Sequence, residues 1–430
     1  MSAERRLSFL FTTADLGGNV SPVMPVVRRL VEAGHDVRVM SDGTSRPDAE
    51  AAGARFVSWD RAPHKDTRSR ETELPDWDMP VEEGLRIVAE HLGRTALAYA
   101  QDVVAELRRE PAGLVVCHDM LLGPMLGCEA IGQRLALLGT MISFFPLPGI
   151  PPLGSALAPA RTDAEREIEA RRWREIEAVF DSALPALNAA RAALGLPPLA
   201  HLADQLDAAA VHWLGTARAF DFPGARLRPA MRYAGPLVGD PAWAEPWRSP
   251  WPDGDERPLV LVGFSTSFQN HAGVLQRVID AASALPVRLL VTLGGAIRPD
   301  EVAPAANSVI VRSAPHTRLL PEAAVVVTHG GHGTVMTALM HRRPMLVIPH
   351  GRDQGDNAVR VTERGAGLML PAAASAEEIR AALRRLLEDP AFATGARRLG
   401  DAVAAEAEGA TLVADLAALA AGRAAQGAAA

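Results

Sequence analysis

The feature that most constrains this chain is a recurring order of short apolar run, glycine or polar turn, and segment with helical periodicity. Such runs occur at residues 7–12, 35–41, 113–117, 135–139, 259–262, 287–293, 309–312 and 325–328. Strands that alternate with helices predict a parallel sheet with helices on both faces. We therefore predict an α/β protein. In such sheets ligands bind beyond the carboxyl ends of the strands, where the most informative motifs of this chain lie.

A change in composition divides the chain. Residues 235–257 are rich in Pro, Gly, Trp and Asp, a composition that indicates a linker between domains. We predict a first unit at residues 1–234, a second unit at 258–405, and a C-terminal helix and tail at 406–430. The second unit repeats the plan of the first without repeating its sequence.

Local signals in the first unit predict one helix and one long loop. Ser21 as N-cap, Pro22 at the first helical position and Gly34 beyond the last turn mark a helix. Residues 61–80 are polar and charged, and they include Trp77. Loops of this length in compact domains are usually functional or disordered.

Composition restricts the classes of partner. The 430 residues carry a formal net charge of -7, so the chain lacks the diffuse basic field that nucleic acid or an anionic membrane attracts. The two cysteines, Cys117 and Cys128, supply neither a disulfide framework nor a zinc site. Apolar runs are too short for a membrane span and no signal peptide is evident, so a cytoplasmic location is expected. A homodimer stays open.

The sequence HGGHGT at residues 329–334 follows a buried apolar run and opens a predicted helix. A helix N-terminus presents free N–H groups and partial positive charge, and glycines let a phosphate approach the backbone. This turn is therefore a candidate diphosphate site, with Asp353 and Gln354 facing the sugar. A glycine turn alone is a weak signal, and an Asp-Gln pair is also a common helix start.

Three motifs in order carry a family resemblance: HGGHGT at residues 329–334, PMLVIP at 344–349 and DQGDN at 353–357. Together they resemble the nucleotide-sugar signature of the inverting glycosyltransferases with two Rossmann-like domains, the GT-B fold of family 1. The bacterial natural-product branch is the most similar. The resemblance implies two facing domains with a cleft between them, and final helices that cross back to the first domain.

The resemblance also assigns residues to a UDP- or TDP-sugar donor, which is a co-substrate rather than a cofactor. The assigned residues are His329, Gly331, Gly333 and Thr334 for the diphosphate, Asp353 and Gln354 for the sugar, Thr266 for a phosphate, and Ala314 and His316 in the base-binding segment. Ser313 stands where relatives often carry a stacking aromatic side chain. The choice between uridine and thymidine therefore stays open.

The acceptor side departs from the family pattern. Relatives usually place a catalytic histidine in a G-H-x-x-P loop after the first strand, paired with an aspartate. Here Asn19 occupies the histidine position and Asp119 matches the aspartate. An amide is not a useful proton acceptor at neutral pH. Asp119 could act as base with Asn19 positioning the acceptor, Asp15 or His118 could supply the base, or an acidic acceptor could need little base.

Several functions stay open at this stage. The resemblance implies transfer of a hexose or deoxyhexose, with inversion, to a small acceptor. Trp77, Met79 and residues 141–148 suggest an apolar acceptor, although each could be core. The alternatives are a catalytically impaired or binding-only protein, because of Asn19, and a nucleotide-sugar epimerase of the same fold.

We expect no metal site. Asp76-Trp77-Asp78 matches the D-x-D pattern of metal-dependent transferases, but it lies in a loop, where a solvated turn is the better interpretation. His329 and His332 lie on a glycine turn without a carboxylate or Cys partner in a recognised ligand pattern.

Overall fold

The computed structural model describes residues 6–239, 247–252, 254–264, 267–295, 297–408 and 411–422. Two parallel sheets organise these residues, in agreement with the predicted α/β class. The first sheet contains β1 (Ser8–Thr12), β2 (Asp36–Ser41), β3 (Arg55–Ser58), β4 (Leu114–His118), β5 (Leu135–Gly139), β6 (Val211–Leu214) and β7 (Met231–Tyr233). The second contains β8 (Leu259–Gly263), β9 (Arg288–Thr292), β10 (Ser308–Val311), β11 (Ala323–Thr328), β12 (Met345–Val347) and β13 (Gly367–Met369).

Thirteen α-helices are described, and they connect or follow these strands. In the first unit they are α1 (Met24–Glu32), α2 (Arg46–Ala51), α3 (Val81–Arg109), α4 (Leu122–Ile131), α5 (Asp163–Asp181) and α6 (Leu184–Ala193). In the second they are α7 (Ala272–Ser283), α8 (His316–Leu319), α9 (His332–Met340), α10 (Gln354–Glu363), α11 (Ala376–Glu388) and α12 (Pro390–Glu408), and α13 (Leu412–Ala420) follows. None of these helices combines the length and apolarity that crossing a bilayer requires.

The strand order places a ligand crevice in each sheet. The first sheet has the order β3-β2-β1-β4-β5-β6-β7 and the second β10-β9-β8-β11-β12-β13. The direction of winding reverses between β1 and β4, and between β8 and β11. Crevices form beyond the carboxyl ends of the strands at such switch points. The loops after β1, β4, β8 and β11 are therefore the loops that can form a site.

The start of α1 differs from the sequence prediction. The helix begins at Met24, because residues 20–23 first make turns of their own, with the Met24 amide donating to the Ser21 carbonyl at 3.3 Å. Ser21 is therefore not the N-cap, and Pro25 instead of Pro22 lies in the first turn. The predicted ending is confirmed, since Gly34 follows the helix with a φ of 84°.

Helix α13 packs on the first sheet although it follows the second in the chain. It contacts α1 and β4, and its buried Leu412, Leu416 and Leu419 share a core with Phe9 and Leu114. The strands of the first sheet end at Tyr233 and those of the second begin at Leu259. The predicted boundaries of the units stay predictions.

Candidate active site

A cavity of about 400 Å³ lies between the two sheets. The first unit contributes the loops after β1 and β5 and one face of α3, and the second contributes the turn before α9 and the start of α10. Seven predicted site residues line it together: Asn19, His329, Gly331, Gly333, Thr334, Asp353 and Gln354. The structure thus brings the HGGHGT turn, the DQ pair and the loop of Asn19 to one cleft.

The HGGHGT turn leaves the start of α9 open to the cleft. Gly330 has a φ of 97°, and a Cβ there would lie 2.7 Å from Val347 Cγ1, so glycine is required. Gly331 is the N-cap, and no side chain among the described residues caps the helix. A Cβ on Gly333 would meet nothing within 4 Å. Uncapped amides beside open space are suited to an anion.

His329 is a neutral hydrogen-bonding group at this turn. Burial, reinforced by His350 and Arg352, lowers the pKa of His329 to about 3. Its imidazole fills the space above Gly331, where a Cβ would lie 2.5 Å from His329 Nε2. A buried imidazole can therefore approach a phosphate without first carrying charge.

The histidines of this half form an aromatic cluster. The rings of His271 and His350 meet edge to face with centroids 4.5 Å apart, and Phe264 lies 5.4 Å from His271 and 5.8 Å from His350. Burial lowers the pKa of His350 to about 4, so its ring stays uncharged at neutral pH. Within the described ranges, no three His, Cys, Asp or Glu side chains converge as metal ligands do.

Asn357 ties the glycine turn to the DQ pair. Its Nδ2 donates to the Gly330 carbonyl at 2.8 Å and to Asp353 Oδ2 at 2.7 Å. Asp353 stands at the N-cap of α10 but its side chain does not cap that helix, and burial raises its pKa. Gln354 Oε1 accepts from the His350 amide at 2.7 Å. Both residues line the cleft in positions fixed by neighbours.

The remaining residues predicted for the donor site are Ala314, His316 and Thr266. Ala314 and His316 follow β10, where His316 Nε2 lies 3.3 Å from Thr292 Oγ1, and neither residue is among those lining the cavity. Thr266 lies outside the described residues. The roles of all three stay predictions.

The first unit contributes both apolar and titratable side chains to the cleft. The apolar lining residues include Leu74, Met79, Leu85, Val88, Met120, Met141, Phe144 and Leu153. The titratable ones include Asp15, Asp42, His64, Lys65, Glu73 and His91. Such a lining suits a largely apolar molecule with a few polar groups.

Asn19 faces this cavity with an unused donor. Its Oδ1 accepts from the Leu16 amide at 3.1 Å, and its buried Nδ2 has no partner among the described residues. An unsatisfied buried donor is costly unless a ligand completes it. Asn19 is therefore placed to donate a hydrogen bond to a bound molecule.

Asp119 lies behind the cavity wall instead of at its surface. The residue is fully buried, and its Oδ2 lies 3.1 Å from His212 Nε2. Burial opposes ionisation, but His212 and His118 outweigh it and hold the pKa of Asp119 below its usual value. No hydrogen bond joins the described side chains of Asn19 and Asp119, although relatives pair the residues at these two positions. His212 on β6 was missed, because β6 itself was not predicted.

The Asp119 cluster reaches the cavity through Thr140 and through Met120, whose amide donates to His118 Nδ1 at 3.3 Å. His118 Nε2 lies 3.1 Å from Thr140 Oγ1, and Thr140 lines the cleft while His118 and Asp119 do not. Burial lowers the pKa of His118. The cluster is therefore a buried polar network with one hydroxyl contact to the site.

Asp15 is a carboxylate of the cleft itself. Thr44 Oγ1 and Arg68 Nε donate to its Oδ2 at 2.8 and 2.7 Å. Burial raises its pKa, but Arg68 and Lys65 outweigh burial and the net pKa is lowered. Asp15 is therefore an anion at neutral pH.

Comparisons with known proteins agree with this architecture. Residues 276–419 match the family described as erythromycin biosynthesis protein CIII-like, C-terminal domain. The 4'-demethylrebeccamycin synthase of Lentzea aerocolonigenes is 29% identical over 417 residues, 92% of this chain and 95% of that protein. CalG4, the calicheamicin glycosyltransferase, is similar in structure with a TM-score of 0.72 and 18% identity, covering 96% of this chain and 98% of that one. The glycosyltransferase VinC, solved in complex with dTDP, gives a TM-score of 0.67 at 19% identity over 95% and 99% of the two chains.

Two facing parallel α/β sheets with a cleft at their switch points, together with these matches, define the class of this protein: it is a glycosyltransferase of the GT-B fold. Within that class the chain is similar to family 1 and to its bacterial natural-product branch, as its motifs predicted.

Proposed function

We propose that the protein transfers a hexose or deoxyhexose from a UDP- or TDP-sugar to a small, largely apolar hydroxylated natural product, with inversion and without a metal ion. The observation that carries this proposal is one cavity with two different walls. The uncapped start of α9 with Gly331, Gly333 and Thr334 forms one wall, and apolar side chains of the first unit form the other.

The donor wall can stabilise a leaving diphosphate without a cation. Free amides and the helix dipole act on negative charge that develops on the leaving group, and they need no reorganisation during the reaction. His329 adds a neutral hydrogen-bonding group there. Asp353 and Gln354 would hold the sugar hydroxyls, which leaves the opposite face of the anomeric carbon toward the first unit.

Asp15 is our candidate for the group that receives the acceptor proton. It lines the cavity, and among the described residues the hydrogen bonds that fix its side chain are made to Oδ2. Its lowered pKa makes it a weak base, which favours an acceptor with an acidic proton, such as a phenol. Asn19 would orient the acceptor through Nδ2, and Asp119 would act through the buried network that ends at Thr140.

The decisive test compares the parent with Asp15→Asn, Asp119→Ala and Asn19→His. Nucleoside diphosphate release from UDP- and TDP-sugars is measured with and without hydroxylated aromatic and macrolide acceptors, and donor affinity is measured separately. We expect transfer by the parent and a loss of roughly 10²–10⁴-fold in Asp15→Asn with donor affinity retained. An unimpaired Asp15→Asn enzyme would remove Asp15 from its role.

Inversion and metal independence are tested on the same reaction. We expect a chelator such as EDTA to leave the transfer rate unchanged, and NMR of the product to show the anomeric configuration opposite to that of the donor. Activity that disappears with EDTA and returns with a divalent cation would contradict the metal-free proposal.

A second candidate function is donor binding without transfer. It is favoured by Asn19, because an amide replaces the proton acceptor that relatives usually have at this position. In that case the parent would bind the donor and release no nucleoside diphosphate with any acceptor, and only Asn19→His would transfer sugar.

A further inference from the structure

The long loop of the first unit is docked on the second unit by three consecutive residues. Asp76 accepts two hydrogen bonds from Arg352, Nε to Oδ2 at 2.5 Å and Nη2 to Oδ1 at 2.8 Å. The Trp77 ring meets the Phe268 ring edge to face with centroids 5.1 Å apart. Asp78 Oδ2 accepts from Asn270 Nδ2 at 2.7 Å. The D-x-D segment is therefore an interdomain contact, and the expected solvated turn was wrong.

Arg352 joins this loop to both halves of the site. It directly precedes Asp353 and Gln354 in the chain, and it lines the cavity. Its Nη1 donates to the Leu16 carbonyl at 3.4 Å, in the loop that carries Asn19. Gly17 has a φ of 89°, and a Cβ there would lie 3.0 Å from that same Nη1, so glycine favours this approach. One guanidinium thus spans from the sugar-binding segment to the acceptor loop.

Backbone strain is concentrated at the same interface. Five non-glycine residues of the described chain have positive φ, and three of them are Asp78 (57°), Asn270 (55°) and Arg352 (54°). Such conformations persist only where surrounding contacts determine them, and they cluster at functional sites. Asp76 is almost fully buried, with its side chain 2% exposed, and it fixes the strained Arg352 from the opposite unit.

We propose that Arg352 is a positioning residue for the donor sugar, and that Asp76 of the first unit sets its position. The inference rests on the proposed transferase function. With Arg352 fixed, the segment of Asp353 and Gln354 holds the sugar at a defined distance from the acceptor loop. Without that anchor the sugar and the acceptor lose their alignment, and the cleft opens to water.

The contact predicts a specific kinetic signature. The nucleotide is expected to bind through the turn at residues 329–334, which Asp76 does not touch. Loss of Asp76 should therefore lower kcat for transfer while nucleoside diphosphate affinity is kept. A misplacement of about 1 Å can cost on the order of 10²-fold in rate. Hydrolysis of the donor should rise relative to transfer.

The test uses the full-length variants Asp76→Ala, Asp76→Glu, Arg352→Ala and the double variant Asp76→Ala/Arg352→Ala. The matched control is Arg161→Ala, which removes an exposed ion pair between the units, Arg161 with Glu363. Transfer, donor hydrolysis, UDP and TDP affinity, and thermal unfolding are measured for each. The double variant leaves no unpaired buried charge, so it keeps the test open if a single variant fails to fold.

We expect a fall in kcat of about 10²-fold and a higher ratio of hydrolysis to transfer in both alanine variants. The double variant should be no worse than either single variant, since both remove one interaction. Asp76→Glu should recover part of the rate, and Arg161→Ala should match the parent.

Two results would overturn this inference and leave the proposed function in place. In the first, the parent transfers sugar, and the Asp76 and Arg352 variants transfer it as fast as Arg161→Ala does. In the second, these variants lose nucleoside diphosphate affinity or folding together with rate, which indicates a structural ion pair. A parent that binds the donor but transfers nothing would overturn the proposed function, and the inference with it.

Discussion

Gly331 and Gly333 belong to one motif but have different surroundings. A Cβ on Gly331 would lie 2.5 Å from His329 Nε2, so this glycine makes room for a side chain of the protein. A Cβ on Gly333 would meet nothing within 4 Å. The space beside Gly333 is therefore open, and the helix N-terminus there is suited to an anion.

Gly333→Ala should separate binding from stability. Alanine in a helix is favoured over glycine by up to about 1 kcal/mol, so the variant should unfold at the same or a higher temperature. Its methyl group occupies the proposed diphosphate space, and donor affinity should fall at least tenfold, which is about 1.4 kcal/mol. Calorimetric titration with UDP and TDP measures this.

Gly273→Ala is the control for that experiment. Gly273 is exposed near the start of α7, and a Cβ there would approach only Arg277 Nη1 at 3.7 Å. Gly273→Ala should change thermal stability as Gly333→Ala does, and it should leave the affinity for UDP and TDP unchanged. Unchanged affinity in Gly333→Ala would place the diphosphate elsewhere.

At the residue scale, the sequence predicted which residues come together at the site. It did not predict the contacts that hold them in place. HGGHGT and DQ were brought to one cleft because both follow strands whose carboxyl ends share an edge. The placement of Asp119 was not predictable, because its partner His212 comes from β6, 93 positions along the chain. Asn357, which couples the two motifs, lies within DQGDN but gives no signal of its own.

Among the elements, α3 and α4 show how closely two helices can approach. A Cβ on Gly123 would lie 2.4 Å from both the Ala96 carbonyl oxygen and Tyr99 Cβ. Glycine at this position lets α4 rest directly on the backbone of α3. Tyr99 also lines the cleft, so the separation of these helices affects the acceptor wall.

Gly123→Ala should therefore destabilise the fold despite the better helix propensity of alanine. Forcing an extra methyl group into a packed contact typically costs about 1–3 kcal/mol, and one of its neighbours is rigid backbone. Chemical denaturation measures the change, with Gly273→Ala as the exposed-helix control. A variant as stable as the control would show that α3 and α4 separate freely.

Element by element, the strands were the most predictable part. The bounds of β1, β2, β4, β5 and β8 to β11 were predicted to within about two residues, because buried parallel strands are continuously apolar. Strands β3, β6, β7 and β13 were not predicted. Of these, β6 and β7 are short and contain His212, Arg232 and Tyr233. The start of α1 was misplaced because turns made by residues 20–23 resemble a helix start in sequence.

At the scale of the whole molecule, Asp356 joins the two units through its carboxylate. From α10 it accepts hydrogen bonds from the Gly154 and Ala156 amides of the first unit at 2.7 and 3.0 Å. Burial raises the pKa of Asp356 to about 6. The folded protein therefore binds this proton more tightly than the unfolded chain does.

This difference fixes the sign of a pH effect. Between the usual value near 3.8 and about 6, the folded state holds more protons, so the contribution of Asp356 to the free energy of unfolding falls as pH rises. The stability of the parent minus that of Asp356→Asn should decrease by on the order of 2–3 kcal/mol from pH 4 to pH 7. Urea denaturation across this range measures it, and a pH-independent difference would contradict the shifted pKa.

The return of α13 to the first sheet makes the order of synthesis matter. Leu412, Leu416 and Leu419 complete the core around Phe9 and Leu114. Strand β1, which is synthesised first, is therefore fully covered only after α13 has been synthesised. During translation the second unit can assemble its own sheet while an apolar face of the first stays uncovered. A nascent chain of this protein therefore exposes that face to association until residues 412–420 have been made.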